Sequence, residues 1–218
     1  MVGHIVWDWN GTLLDDGDVV YRASCELFQA RGLPPVTLSQ YRAAYTRPIS
    51  EFYRRLWGMS FSDTELEAMN DGFHEAYQRA LRDAPLATGA AEVLSGWRAL
   101  GGTQSLLSMF RHDRLLPLVS SHGIASEFVR IDGLLGAGGG QKQVHLEKHL
   151  AALGLTGPEV LLVGDSLDDA AAATAVGAAC VLYNGGAHER SALEATGLPV
   201  VDHLADCSVG PVPRDIFL

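Results

Sequence analysis

The chain has 218 residues, 47% of them hydrophobic, and a formal net charge of −10. A chain of that length buries one substantial core, with room for a small accessory domain, and needs neither disulfides nor a structural metal to do so. Its acidic balance argues against nonspecific binding to nucleic acid or anionic membranes, which requires a basic surface that displaces counterions. Three cysteines, Cys25, Cys180 and Cys207, lie far apart with no C-x-x-C spacing and read as reduced thiols. No run reaches the length of a membrane span, and no basic segment precedes a long apolar stretch at the N-terminus, so the expectation is a soluble, cytoplasmic protein. Positive charge is almost all arginine: Lys142 and Lys148 are the two lysines, which limits where a catalytic lysine can sit.

In chain order, residues 3 to 8 read as a strand. Residues 17 to 82 contain no convincing strand; Val19, Val20, Ala23 and Leu27, and later Phe52, Leu56, Leu66, Met69, Phe73, Tyr77 and Leu81, fall at helical spacings. Within this block Gly32-Leu33-Pro34-Pro35 stops the first helix, Pro48 opens another, and Ser62-Asp63-Thr64-Glu65 supplies capping chemistry for a longer one. The methionine and aromatic stripe reads as packed core rather than a cofactor box. Pro85 to Gly89 marks the return to the first layer of structure. Apolar runs at 103 to 108, 127 to 131, 159 to 164, 178 to 183 and 198 to 201 then alternate with helical patterns, which predicts a parallel sheet. Gly136 to Gly140 reads as a loop before a helix at 142 to 153; it lacks the nucleotide-loop pattern G-x-x-x-x-G-K-[ST]. The predicted fold is therefore α/β, a Rossmann-like parallel-sheet core (1–14 and 87–218) interrupted by an all-helical insertion (15–86).

Two of the predicted strands end in acids. Ile5-Val6-Trp7 runs into Asp8-Trp9-Asn10-Gly11-Thr12-Leu13, and Val160-Leu161-Leu162-Val163 runs into Gly164-Asp165-Ser166-Leu167-Asp168-Asp169. Taken alone, the first motif also fits a solvated Asp/Asn turn. Ligands of open parallel sheets bind beyond the carboxyl ends of strands, so Asp8 and Asp165 converge if their strands are neighbours. A pair of carboxylates on one rim suits Mg²⁺, which takes oxygen ligands and retains waters or a phosphate oxygen. A carboxylate can also attack phosphorus when donors neutralise the incoming anion. Ser108 at the end of the 103–108 strand fits such a donor, and equally a helix N-cap. Lys142 fits a charge partner for the acids, and equally a solvated lysine at a helix start; Lys148 is its rival.

These four motifs, in this order and across nearly the whole chain, resemble the haloacid dehalogenase-like hydrolase superfamily, in particular its phosphatase branch with a helical cap inserted after the first strand. The resemblance implies that Asp8 is the nucleophile and that Asp8, the main-chain carbonyl of Asn10 and Asp165 hold Mg²⁺, with Asp169 supporting the metal through water or Lys142. It implies that Thr12, Ser108 and Lys142 bind the phosphoryl group of a small phosphorylated metabolite. The cap would select the substrate, and Arg47, beside Pro48, is the candidate for gripping an anionic group, although it also fits a surface arginine.

Phosphatases of this superfamily usually carry a second aspartate two residues after the nucleophile, as acid and base. Here that position is Asn10, an amide that exchanges no proton at neutral pH, so a contribution of roughly 10² to 10⁴ in rate must be absent or come from elsewhere. A phosphate-binding or regulatory protein with little turnover is the alternative this raises. Asp15 and Asp16 lie past the turn, where capping or hinge roles fit better than acid catalysis. Phosphonate-cleaving relatives need a cap lysine, and residues 15 to 86 contain none. Dehalogenating relatives lack the full acidic fourth motif kept here as Asp165 and Asp169. The eight histidines (4, 74, 112, 122, 145, 149, 188 and 203) show no metal-ligand spacing and receive no role.

Overall fold

The computed structural model describes residues 3–46, 48–81, 84–135 and 140–207. Arg47 and most of the glycine-rich loop (136–139) lie outside the described residues. Two compact units are distinguished: Met1–Asp15 with Leu86–Gly186 and Arg190–Leu218, and Asp16–Pro85 with Ala187–Glu189. No helix among the described residues is long and apolar enough to cross a membrane.

The first unit is built on six parallel strands: β1 (His4–Trp7), β2 (Thr103–Arg111), β3 (Ile131–Leu134), β4 (Val160–Gly164), β5 (Ala179–Tyr183) and β6 (Val200–Val201). Their order is β3-β2-β1-β4-β5-β6. Parallel neighbours require crossovers, and most of these are helical. The unit's helices, numbered after α1 to α4 of the other unit, are α5 (Ala90–Ala99), α6 (His112–Ser121), α7 (Lys142–Leu153), α8 (Leu167–Val176) and α9 (Arg190–Glu194). Because β1 and β4 lie inside the sheet with both faces covered, every residue of each is buried, which is why both read as continuous apolar runs. Val6, Leu107, Leu162, Leu146, Leu150, Ala173 and Leu182 form one core cluster on this scaffold. The α/β Rossmann-like core is thus present as expected.

Two elements depart from the sequence reading. The strand expected at 127 to 131 is displaced: Ala125–Glu127 forms a 3-10 turn and β3 begins at Ile131. Its sequence, Ile-Asp-Gly-Leu, hides the strand, because Asp132 is kept for hydrogen bonds and Gly133 passes too near the β2–α6 corner to carry a side chain. A Cβ there would fall 2.6 Å from the Phe110 carbonyl oxygen. Strand β2 also runs three residues beyond expectation, to Arg111, so α6 starts at His112 and Ser108 is not its N-cap.

The second unit is helical: α1 (Gly17–Ala30), α2 (Leu38–Ala44), α3 (Ile49–Trp57) and α4 (Asp63–Leu81). Gly32, with φ +64°, follows the end of α1, and Pro48 is the N-cap of α3. Ser62 and Glu65 form the expected reciprocal cap of α4, with Ser62 N–H donating to Glu65 Oε2 at 2.8 Å. Helix α2 was not anticipated, although Thr37 and Gln40 carry a capping-box signature that the structure uses. Leu27, Phe28, Tyr41, Phe52, Tyr53 and Met69 pack together, with Phe28 edge-on to Trp57 at 4.8 Å, so the methionine and aromatic stripe is core. Asp16 is buried just before α1. It makes no capping bond with its side chain and instead accepts the Tyr77 hydroxyl proton.

A chain of polar groups, buried at His4, Ser105 and His149, ties the first unit together. Thr103 Oγ1 lies 2.8 Å from His4 Nδ1, and His4 Nε2 lies 2.8 Å from Ser105 Oγ. Ser105 Oγ then lies 2.7 Å from His149 Nε2, whose ring partner Nδ1 is 2.7 Å from Asp132 Oδ2. Burial, reinforced by His149, holds the His4 ring down at about 4. Burial also lowers His149, against the opposing pull of Asp132. An unfolded histidine titrates near 6.5. Between about 6.5 and 4 the unfolded chain therefore binds a proton that folded His4 refuses, and stability falls as the pH drops through that window. Melting temperatures recorded from pH 7 to pH 4.5 are expected to decline, and the decline is expected to be shallower in His4→Gln. An unchanged slope in that variant would contradict this origin.

Candidate active site

Strand β1 lies between β2 and β4, with Trp7 level with Leu106 on one side and Val163 on the other. Asp8 follows β1, Ser108 lies near the end of β2 and Asp165 follows β4, so three neighbouring strands bring these side chains to one rim. Asp8 keeps its backbone in the sheet, its N–H donating to the Val163 carbonyl at 2.8 Å. The chain then turns sharply, with the Thr12 and Leu14 N–H groups both donating to the Trp9 carbonyl. Gly11 is required in this turn: its φ is +72°, and a Cβ would fall 2.6 Å from Asp165 Oδ2.

Asp8, Asp165 and Asp169 each offer an oxygen, all within 4.8 Å of one another. Lys142, at the first turn of α7, sends its ammonium between two of them, 2.7 Å from Asp8 Oδ1 and in contact with Asp169 Oδ1. The lysine is 2% exposed, so it is not a solvated helix-start residue, whereas Lys148 on the same helix is exposed. Burial alone would lower the Lys142 pKa, but Asp169 and Asp8 outweigh it and hold the ammonium charged above its ordinary range. Burial pushes Asp8 up to about 6; Lys142 opposes the rise and Asp169 adds to it.

The three acids are differently employed. Asp169 is fully buried at the start of α8; its Oδ2 accepts from the Ser166 N–H (3.1 Å) and hydroxyl (2.5 Å), completing a capping box, while Oδ1 faces Lys142 as an ion pair. Asp165 Oδ1 accepts the Thr12 hydroxyl proton at 3.1 Å. Thr12, expected to meet a phosphoryl group, is fully buried, with its hydroxyl on Asp165. Asp8 retains a little exposure, at 8%. Ser108 accepts from the Phe110 N–H at 3.0 Å and donates to Asn10 Oδ1 at 3.3 Å. Ser166 and Asp168 escaped sequence reasoning; Asp168 Oδ2 receives the Lys142 backbone N–H at 3.4 Å. The spacing Ser166-x-x-Asp169 is the signal that identifies the first.

Three carboxylates against one ammonium leave a formal charge of −2 in a nearly closed site. A divalent cation held by oxygen ligands fits that charge and donor set. Asp8, Asp165 and Asp169 each have an oxygen that could hold it, and the oxygens of Asp169 are also engaged by Ser166 and Lys142.

A parallel α/β fold with an acid-tipped strand pair and a buried lysine defines the class of this protein. A family model described as haloacid dehalogenase-like hydrolase matches residues 2–177, and the chain belongs to that family. It is 24% identical to the phosphoglycolate phosphatase of Rhodobacter capsulatus, over 97% of this chain and 96% of that one. Among solved structures, a haloacid dehalogenase-like family hydrolase from Streptococcus pneumoniae superposes with a TM-score of 0.81 at 15% identity, covering 94% of this chain and 96% of the other. The CbbY protein of Rhodobacter sphaeroides, an aspartate-to-asparagine mutant in complex with xylulose-(1,5)bisphosphate, superposes with a TM-score of 0.69 at 20% identity, over 94% and 96% of the two chains. Both structural likenesses concern the fold.

Removing one partner of a buried ion pair typically costs about 3–5 kcal/mol, because the remaining charges lose their compensation. Lys142→Met is therefore expected to lower the unfolding free energy measured by urea denaturation in metal-free buffer by a corresponding amount, and exposed Lys148→Met to change it by less than about 0.5 kcal/mol. Equal effects of the two substitutions would show that the ammonium does not hold the acids together.

Proposed function

We propose that this protein is a Mg²⁺-dependent phosphatase that hydrolyses a small phosphomonoester through an aspartyl-phosphate on Asp8. The observation that carries this reading is the Lys142 ammonium held against Asp8 at the rim where Asp165 and Asp169 converge. In this reading residues 1–14 and 87–218 are the catalytic core, residues 15–86 are the cap, and Arg47 contacts the far end of the substrate. The relatives' phosphoglycolate and xylulose bisphosphate are both small anionic phosphate esters, which supports a phosphorylated metabolite as substrate.

Asp8 attacks phosphorus with one carboxylate oxygen, and the bond from phosphorus to the ester oxygen breaks as the acyl-phosphate bond forms. Water then attacks the same phosphorus and releases inorganic phosphate and the Asp8 carboxylate. Lys142 neutralises charge on Asp8 and on the transferring group, and Ser108 and Asn10 border the same rim. Thr12 orients Asp165, and Asp169 fixes Lys142. Mg²⁺, held by Asp8, Asp165 and the Asn10 carbonyl, would supply positive charge to the phosphoryl oxygens.

Asn10 donates no proton to the leaving oxygen, so turnover is weak to moderate and favours substrates whose leaving group departs unprotonated, such as aryl or acyl phosphates. The same residue supports the second reading, a phosphate-binding or regulatory protein with little or no turnover. An aryl phosphate and an alkyl phosphate assayed with Mg²⁺ separate the two. The phosphatase reading expects aryl phosphate hydrolysis that EDTA stops and Asp8→Asn abolishes. It also expects Asn10→Asp to raise alkyl phosphate turnover by about 10² to 10⁴. An inert parent, restored on both substrates by Asn10→Asp, would leave the binding reading standing.

A further inference from the structure

The Asp132–His149–Ser105 connection has the connectivity of a nucleophilic triad, but Ser105 is fully buried in the middle of β2, where no substrate reaches it. Its proton arrangement indicates another use. Ionised Asp132 only accepts, so His149 Nδ1 carries a proton toward it. On a neutral ring Nε2 then accepts, and the Ser105 hydroxyl donates to it. Ser105 oxygen in turn accepts from His4 Nε2–H, and His4 Nδ1 accepts from Thr103, which lies closer to it (2.8 Å) than to its other partner, the Gly3 carbonyl (3.3 Å). Every member is satisfied. The reverse order would set a ring lone pair against the Asp132 carboxylate. The lowered affinities of both rings for a second proton agree with this order. Asp132 agrees too: burial would raise it, but the bonds from Arg130 and His149 keep it below the usual carboxylate range.

His149 lies seven residues after Lys142, two turns along the same face of α7, and the buried residues of that helix are Lys142, Leu146, His149 and Leu150. Leu146 and Leu150 give non-directional contacts that tolerate sliding, whereas a ring bonded at both nitrogens does not. We propose that the chain Thr103–His4–Ser105–His149–Asp132 fixes the axial position of α7 and so holds the Lys142 ammonium at its place against Asp8, which makes His149 a positioning residue. The proposal rests on the reading of Lys142 as part of the reaction site.

The test combines ¹⁵N NMR of the histidine rings with kinetics and crystal structures of Ser105→Ala, His149→Asn and Ser105→Thr. In the parent, His4 is expected to be protonated at Nε2 and His149 at Nδ1. In Ser105→Ala and His149→Asn, the Lys142 ammonium is expected to shift, and kcat on an aryl phosphate to fall about 10- to 100-fold with KM nearly constant, since a misplacement of about 1 Å costs up to that factor. Ser105→Thr, which restores the hydroxyl, is expected to restore kcat. The opposite tautomer on either ring overturns the proposal, and so does an unmoved Lys142 or a parental kcat in folded Ser105→Ala. If the variants do not fold, the parental tautomers decide. If the parent shows no turnover, the phosphatase reading fails by itself, and the tautomers and the Lys142 position still decide this one.

Discussion

One buried ammonium among three buried carboxylates is the constraint around which this site is arranged. Charges removed from water persist only when paired and hydrogen-bonded, and each acid meets that requirement differently. Asp169 is saturated by Ser166 and Lys142, Asp165 takes the Thr12 hydroxyl, and Asp8 pairs with the lysine. The parallel sheet explains why such groups meet at all. Its strands β1 and β4 both end at the same rim, and the N-terminus of α8 favours carboxylates through the helix dipole.

The arrangement also separates tasks among chemically identical groups. Burial raises the affinity of Asp8 for a proton even beside Lys142. A carboxylate in that condition gains from any further positive charge that enters. The residual formal charge of −2 thus links cation binding to ionisation of Asp8: each favours the other by the same electrostatic interaction.

Much of this was legible in the sequence, for reasons that also explain what was not. The runs Ile5–Trp7 and Val160–Val163 are apolar because they are covered on both faces, and their acids follow at once, so the rim could be read directly. Lys142 was readable only as a candidate, since its burial depends on Asp8 and Asp169, which are distant in the chain. Strand β3 was misplaced because two of its four residues, Asp132 and Gly133, are chosen for a hydrogen bond and a close backbone approach rather than for the sheet. His4, Ser105 and His149 gave no pattern. They meet only after β1 and β2 pair in the register His4 to Thr103 and Val6 to Ser105, a relation no local spacing records. The Thr37–Gln40 cap, by contrast, is a local signature that marks the start of α2 in the sequence itself.

Asn10 belongs to the same electrostatic account. An aspartate at this position would bring a fourth acid to a rim that has one lysine, and like charges so close raise the pKa of one of them, which is how a carboxylic acid is kept protonated for donation. The amide forgoes that acid. In return its oxygen accepts from Ser108, whose own oxygen takes the Phe110 N–H, so the rim is ordered by neutral hydrogen bonds with no additional charge to compensate. Under the proposed phosphatase reading, the demand on chemistry passes to the leaving group, whose own acidity, rather than any side chain at position 10, governs how readily the ester oxygen departs.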